Sequence, residues 1–408
     1  MNNYDTIIIG GGASGMMCAL SLAKRTGRRI LIIERNDRLG KKLSATGNGQ
    51  GNISNTFMDS SHYFTTEESK VRDIINRYDD KCLLSDLEEL GGMFKADEFG
   101  RIYPFSMQAS SVTDLIRYGL ARHKNIDIIY SAQVLEAFRE GNKFRVHTKS
   151  EIYYGDRLVL SAGGKAAKHF GTDGSAYALA EAFGHSVTAL SPALVQMKTP
   201  LDYIRGMKGI RCDCLVTLYE NKKLLKSVRG DLIFTDYGVS GNAVFKLSSF
   251  LKDNNRLEIN FLPDISEEKL TEALNKKVAA YPELPVSQLL YTIVNHSVAR
   301  SLIKYCKING EAPCGSNPQY VSSLVSALRA FELKVTGTLG FDYAQVTRGG
   351  IPTEETTCCL MSKKCPNLYF TGEILNVDGE CGGYNLQWAF SSAVCVAEAI
   401  AKDLYENR

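Results

Sequence analysis

Gly10-x-Gly12-x-x-Gly15 follows the apolar run Thr6-Ile7-Ile8-Ile9 and precedes a run of helix formers from Ala13 to Arg25. Glycines at that spacing between a strand and a helix make a phosphate cradle. Gly10 permits a tight turn, Gly12 leaves the backbone open to a pyrophosphate, and Gly15 lets the helix pack closely on a sheet. Ala13 and Ser14 fall in the first helical turn, where unpaired N–H groups and the positive end of the dipole attract phosphate. Glu34 closes the next apolar run 19 residues after Gly15, placed to accept hydrogen bonds from the ribose hydroxyls of an adenosine that lacks a 2′-phosphate. These features suit the ADP half of NAD and FAD alike. Two later stretches favour FAD. Leu158-Val159-Leu160 ends in Ser161-Ala162-Gly163-Gly164, small residues that let backbone lie against a dinucleotide. Asn367 to Phe370 ends in Thr371-Gly372-Glu373, and a carboxylate at a strand end can bind ribityl hydroxyls, which FAD has and NAD lacks. For proton transfer the weak candidates are Tyr103, Tyr237 and Tyr384, each equally a packing residue. The six histidines lie far apart in sequence, so we read neither a Ser-His-Asp set nor a metal site from them. The 11 cysteines contain no C-x-x-C, and the close pairs Cys212/Cys214 and Cys358/Cys359 read as idle thiols.

The elements that must carry these residues follow from pattern. The chain has 408 residues, enough for two or three domains, and its net charge of +3 argues against a protein built to grip nucleic acid. Uncharged Thr6–Ala23 lacks the basic start of a signal peptide and is broken by Gly10-Gly11-Gly12, so no membrane segment is expected. Unpaired cysteines in a long chain point to the cytoplasm. Continuous β-branched runs predict buried strands at 6–9 and 29–34. Helices are expected over 13–25, 110–122 and 173–183, with one or two more over 67–90 breaking near Asp79-Asp80. Strands are expected at 134–138, 143–148, 152–154 and 157–160. The stretch 190–262 reads as β-rich, 266–331 as mostly helical, 367–370 as a strand and 385–405 as a closing helix.

Several runs resemble the BaiN-like bacterial flavoproteins, which include proteins described as aminoacetone oxidases. They are Ile7 to Gly15, Gly40-Lys41-Lys42-Leu43-Ser44-Ala45-Thr46-Gly47-Asn48-Gly49, Asn52-Ile53-Ser54-Asn55, Gly100 to Pro104, Gly171 to Gly174, Leu232 to Thr235 and Gly238 to Gly241. The most specific are Gly372 to Gly379 and Gly382-Gly383-Tyr384-Asn385-Leu386-Gln387-Trp388-Ala389. The resemblance implies an α/β fold: a Rossmann-type FAD-binding domain with a three-layer ββα arrangement, interrupted by an inserted β-barrel-like plus helical domain. We expect the first part of the FAD-binding domain over 1–190, a β-rich subdomain over 191–262, a helical subdomain over 263–339 and the second part over 340–408. It further implies non-covalent FAD held by Lys42, Ser44, Thr46, Gly47, Asn48, Gly49, Asn52, Gly372, Glu373, Gly383, Tyr384, Asn385, Leu386 and Gln387, beside the residues of the phosphate turn and Ala162, Gly163 and Gly164. Arg35, after the second strand, and Val134, opening the meander, complete the expected cofactor set. The N–H groups near Asn385, Leu386 and Gln387 are expected to be free for the flavin's pyrimidine end.

The chain departs from the family pattern where it reads Gly49-Gln50-Gly51-Asn52 instead of Gly-Arg-Cys-Asn, Asp236 after Phe234-Thr235 instead of His, and Asn242 where proline is common. We therefore expect FAD binding to be kept and the small-molecule substrate to be unusual. Three functions remain open at this stage. One is an FAD-dependent oxidoreductase, with NADH or NADPH reducing an activated C=C bond. The others are a flavin oxidase of an amine or hydroxy compound and a non-catalytic redox sensor. The sequence sets neither the substrate nor the oligomeric state.

Overall fold

A computed structural model describes residues 2–406. It divides into two compact units, one of residues 1–192 with 344–408, the other of residues 193–343.

The first unit opens with β1 (Asn3–Ile9), α1 (Ala13–Arg25) and β2 (Ile30–Ile33). Ile7, Ile8 and all of β2 are buried, as suits strands covered on both faces. α2 (Ala109–Ala121) leads to β3 (Ile126–Ile129), which pairs in parallel with β2. β4 (Val134–Glu140), β5 (Lys143–Thr148) and β6 (Ile152–Leu160) follow as an antiparallel meander. β6 is one strand, not the two expected. Gly155, in the middle of it, lies under Ile7, where an added Cβ would come within 2.8 Å of the Ile7 side chain. β1 pairs in parallel with β2 on one side and along β6 on the other.

In the second unit, β7 (Arg211–Glu220) and β8 (Lys223–Phe234) form a long hairpin turning at Asn221, φ 54°. With β9 (Asn255–Asn260), β10 (Phe331–Lys334) and three short strands they make a seven-stranded antiparallel sheet. Helices Glu267–Ala280, His296–Tyr305 and Gln319–Arg329 bury Leu270, Leu274, Leu302, Leu324 and Leu328 in this unit's own core. Asn242–Ser248, expected among strands, is a helix entered through Gly241 at φ +105°.

The chain returns to the first unit with β11 (Leu368–Phe370), parallel to the C-terminal half of β6, and α3 (Tyr384–Glu406). α3 lies along α1. Arg25 pairs with Glu398 at 3.0 Å, and the Tyr405 hydroxyl donates to the Arg25 carbonyl at 2.7 Å. It also fixes the end of β11: the Trp388 indole donates to the Gly372 carbonyl at 3.2 Å, and Ser392 Oγ accepts from Gly372 N–H at 2.9 Å.

Candidate functional site

In the turn between β1 and α1, Gly10 has φ +102°, and a Cβ there would sit 2.6 Å from Ala162 Cα. At Gly15 it would sit 1.9 Å from the Gly10 carbonyl oxygen, so both glycines are demanded by packing. At Gly12 it would meet nothing within 4 Å. That open space faces a helix start with no side-chain cap and no acidic residue in its first turn, where Ala13 and Ser14 lie. An anion suits it, because the first N–H groups of a helix lack intrahelical partners. Ser161 Oγ donates to the carbonyls of Ile9 and Gly10 at 3.1 and 2.9 Å, tying the end of β6 to the turn.

Glu34 is only 6% exposed. Its Oε2 accepts from Gly11 N–H at 2.7 Å, and its Oε1 accepts from the backbone and side-chain amides of Asn36 at 2.8 and 2.7 Å. Of the roughly four lone-pair positions on a carboxylate, one is left for a ribose hydroxyl. Arg35 turns the other way, pairing with Asp173 at 2.7 Å and donating to the Gly171 carbonyl at 3.1 Å. Burial alone would raise the Asp173 carboxyl, but the Ser175 hydroxyl and Arg35 outweigh it and hold it at about 2. Val134 opens β4 two residues after Ala132, whose N–H bonds the Glu34 carbonyl at 2.9 Å.

Lys42 and Glu373 were each expected at the cofactor, and they pair with each other at 2.7 Å. The Thr347 N–H donates to the second Glu373 oxygen at 2.9 Å. A Cβ on Gly164 would lie 2.8 Å from that same oxygen, and one on Gly163, φ +73°, would lie 2.9 Å from Thr172. The loop carrying Lys42 is pinned by Ser44 Oγ, which bonds Thr113 at 3.0 Å, and by Thr46 Oγ1, which donates to the Lys42 carbonyl at 3.2 Å. Gly47, Asn48 and Gly49 are exposed and left-handed, and Gly49 accepts from Ala109 N–H at 2.7 Å. Gly51 has φ +80°, and a Cβ there would come within 2.9 Å of Ala109 Cα, so this chain's backbone leaves no room for a thiol-bearing side chain at that position.

Asp378, at the end of the same motif as Glu373, is 1% exposed beside Arg348 at 3.1 Å. Burial pushes its carboxyl up to about 6 against the pull of Arg348, and Glu373 adds to the rise. The Arg348 guanidinium also lies 4.1 Å from the centre of the Phe64 ring. The sequence reading quoted this motif without marking Asp378 as a titrating group.

The last motif is knit mainly to the loop at 52–54. A Cβ on Gly383, φ +103°, would lie 2.2 Å from the Ser54 carbonyl oxygen. The Asn52 amide, in its satisfied orientation, accepts from Gly383 N–H at 3.1 Å and donates to Ser54 at 2.8 Å. The Asn385 side chain closes its own turn, bonding the Gly379 N–H and carbonyl at 2.8 and 2.7 Å. Gln387 corrects an expectation. Its N–H is not free but donates to the Gly383 carbonyl at 3.0 Å, because α3 already begins at Tyr384. Its fully buried side chain accepts from Ser54 Oγ at 2.6 Å and donates to the Tyr78 carbonyl at 2.9 Å. Leu386 is half-buried and packs on the core.

Tyr384 stacks on His62, ring centres 4.3 Å apart, and its hydroxyl donates to the Phe57 carbonyl at 3.3 Å. Burial, then Glu380, pushes that phenol up to about 12. Tyr103 is buried on the short strand Arg101–Pro104, and burial raises it as well. Tyr237 belongs to the other unit, in the turn from Thr235 to Gly238.

One constellation was missed. Ser362 Oγ lies 2.7 Å from His185 Nε2, and His185 Nδ1 lies 2.7 Å from Glu355 Oε2. Residues 170 and 177 positions apart carry no local signal of such a contact. The distances match a Ser-His-acid set, but the His185 side chain is fully buried and Ser362 is 2% exposed, so no substrate reaches them. Burial holds the imidazole below its ordinary value despite Glu355, whose own carboxyl is held at about 2, against burial, by Lys364 and Ser186, so the ring acts as a clasp between a hydroxyl and an ionised carboxylate. Among the described residues, no group of three or more His, Cys, Asp or Glu is arranged to hold a metal, and no helix is long and apolar enough to cross a membrane.

A dinucleotide cradle on a parallel sheet, completed by a strand and helix that return after an insertion, defines an FAD-dependent oxidoreductase. The chain belongs to the family described as HI0933-like protein Rossmann domain, which it matches over residues 4–399. It is 34% identical to the 3-dehydro-bile acid delta(4,6)-reductase of Clostridium scindens, over 97% of this chain and 98% of that one. It is 29% identical to the ribosomal RNA dihydrouridine synthase of Escherichia coli, over 98% and 99% respectively. Its fold is like that of the 3-ketosteroid-delta4-(5alpha)-dehydrogenase of Rhodococcus jostii, with a TM-score of 0.52 at 14% identity, covering 98% and 97% of the two chains.

Proposed function

We propose that this oxidoreductase adds two hydrogens across an activated C=C bond of an organic substrate, with NADH or NADPH as donor. The observation that carries the reading is the end-to-end similarity to a reductase whose name specifies double-bond reduction. Bound FAD supplies hydride acceptance and donation at its N5 position. The chain's own residues would hold and tune it. The Gly12 space and the start of α1 take the pyrophosphate, and Glu34 takes the adenosine ribose. Lys42 and Glu373 form one charged pair beside Gly164, with Asp378 and Arg348 a second. Asp378 retains a proton up to about pH 6, and the Tyr384 phenol retains its own through neutrality. Both are therefore available as proton holders.

Anaerobic stopped-flow mixing tests this. NADH or NADPH should bleach the flavin within the turnover time, and a carbonyl-conjugated alkene such as a 3-oxo-4-ene steroid should restore its colour. Bleaching only by an amine or hydroxy compound, with recovery by oxygen, would replace the reading with an oxidase. The similarity to a ribosomal RNA enzyme makes RNA the second acceptor to try, against the expectation drawn from the net charge of +3. Recovery by unmodified ribosomal RNA but by no small alkene would move the substrate to RNA.

A further inference from the structure

The short ladder that carries Asp378 reaches one residue further, to a histidine the site has not used. Asp378 lies opposite Phe64 and Gly379 opposite Tyr63, and beyond them the Glu380 N–H donates to the His62 carbonyl at 2.9 Å. The side chains meet there too, with His62 Nδ1 3.3 Å from Glu380 Oε2. An ionised carboxylate only accepts, so Nδ1 carries a hydrogen and Nε2 is the nitrogen that gains or gives one. Tyr384 covers one face of the imidazole, ring centres 4.3 Å apart and planes 21° from parallel. The backbone on either side is fixed. The His62 N–H closes its turn on the Asp59 carbonyl at 3.3 Å, and the Tyr63 hydroxyl donates to the Tyr384 carbonyl at 2.9 Å.

Two other histidines stand beside carboxylates, and neither is placed in this way. His185 is bonded through both nitrogens, and its side chain is fully buried. His147 stands 3.9 Å from Glu136, beyond hydrogen-bond reach, and its Nε2 is enclosed without a partner. Among the described residues no hydrogen bond reaches His62 Nε2, and the side chain keeps 31% of its surface exposed. The titratable groups around it are Glu380, Asp59, Tyr63 and Tyr384. Glu380 stands between Asp378 and the Gly382-Gly383 turn, so this imidazole is tied on two sides to the motif expected at the flavin. A ring locked in one orientation by a carboxylate, with its second nitrogen open, is arranged as a general acid.

We propose that His62 delivers the proton that completes double-bond reduction, with Glu380 as its positioning residue. The assignment rests on the reaction proposed above. The activated alkene receives hydride at the carbon remote from its carbonyl, and the π electrons shift toward the carbonyl. His62 Nε2–H gives its proton to the carbon next to the carbonyl. A C–H bond forms, the N–H bond breaks and its electron pair stays on nitrogen. The neutral imidazole then takes a new proton from water. The substrate gains two electrons and two hydrogens, one as hydride and one as proton, and the nicotinamide donor loses the two electrons. Glu380 keeps Nδ1 engaged, so Nε2 alone serves as donor.

The test uses FAD-loaded protein, reduced anaerobically and mixed with a 3-oxo-4-ene steroid. In the parent, flavin recovery should slow as pH rises and the imidazole loses its proton. His62→Gln, compared at equal flavin content, should slow recovery about 100-fold and slow bleaching by NADH or NADPH far less. Its recovery should also lose the parent's pH dependence. A second readout needs no turnover. In ¹⁵N-histidine NMR of the oxidised holoprotein, the signals missing from His62→Gln should show a neutral ring with its hydrogen on Nδ1, and Glu380→Ala should turn them into a mixture of tautomers. A parent ring with its hydrogen on Nε2, equal losses in bleaching and recovery, or a parent-like pH profile in His62→Gln would each overturn the proposal while alkene reduction stands. A parent whose colour no alkene restores would remove the reaction itself, and the role of His62 with it.

Discussion

An added side chain distinguishes the duties of two glycines in one turn. Gly15→Val would drive carbon into the Gly10 carbonyl and should prevent folding, whereas Gly12→Val enters open space. We expect Gly12→Val to melt within a few degrees of the parent apoprotein and to purify colourless. A yellow Gly12→Val protein with full flavin content would exclude this turn as the pyrophosphate site. Glu34→Ala removes three hydrogen-bond acceptances. It should weaken FAD by about 1.5–3 kcal/mol for the charge-assisted bond to the ribose, read by flavin fluorescence titration. The parent should release FAD, not FMN, on denaturation. Asp378 gives a dependence on pH. Its folded carboxyl titrates near 6 against an ordinary 3.8, so between those values the folded state holds a proton that the unfolded chain has lost. Its contribution to stability is complete below pH 3.8 and is lost as pH rises through about 6. Asp378→Asn should therefore gain on the parent in urea unfolding as pH goes from 4 to 7, and parallel curves would refute the assignment.

Among the elements, local pattern was legible wherever the signal was itself local. α1 and β5 run over the residues that periodicity marks, and the two helices Glu68–Arg77 and Asp80–Glu89 break where Asp79-Asp80 suggested. Asp79 caps the second by accepting from Cys82 N–H at 2.9 Å. The strands expected at 152–154 and 157–160 are one, because the continuity through Gly155 comes from pairing along β1 and from the Ile7 side chain that crosses it. Lys42 and Glu373 could be named singly but not as a pair, since they stand 331 residues apart and only the fold joins them. The start of α3 was placed one residue late, enough to free the Gln387 N–H on paper when Gly383 holds it in fact. Gly383→Val tests how that helix start is held. The added carbon would meet the Ser54 backbone, so the loop at 52–54 must move before anything else does. We expect lower FAD occupancy together with faster proteolysis of that loop. Normal occupancy and an unchanged flavin potential would show that the helix start does not bear on the cofactor.

The whole molecule is a discontinuous unit with a second unit threaded into it. The chain leaves and re-enters the first unit at neighbouring points: Thr188 N–H donates to the Gly350 carbonyl at 2.9 Å, and Gly350 N–H donates back to Thr188 Oγ1 at 3.0 Å. Replacing residues 193–343 with a short Gly-Ser linker should leave a folded protein that still binds FAD, measured by its flavin absorbance after gel filtration. An aggregated or colourless product would show that the first unit is not self-sufficient. The late return of β11 and α3 also sets an order of events during synthesis. When β6 leaves the ribosome, the strand that will cover the flank of Leu158 to Leu160 does not yet exist. At translation rates of roughly 5–20 residues per second, the 151 residues from Ala193 to Tyr343 impose a wait of roughly 8–30 s. By its end the inserted unit has all of its own sheet and can finish first. The cofactor domain waits with an open sheet edge, the condition under which nascent chains pair wrongly and call on chaperones.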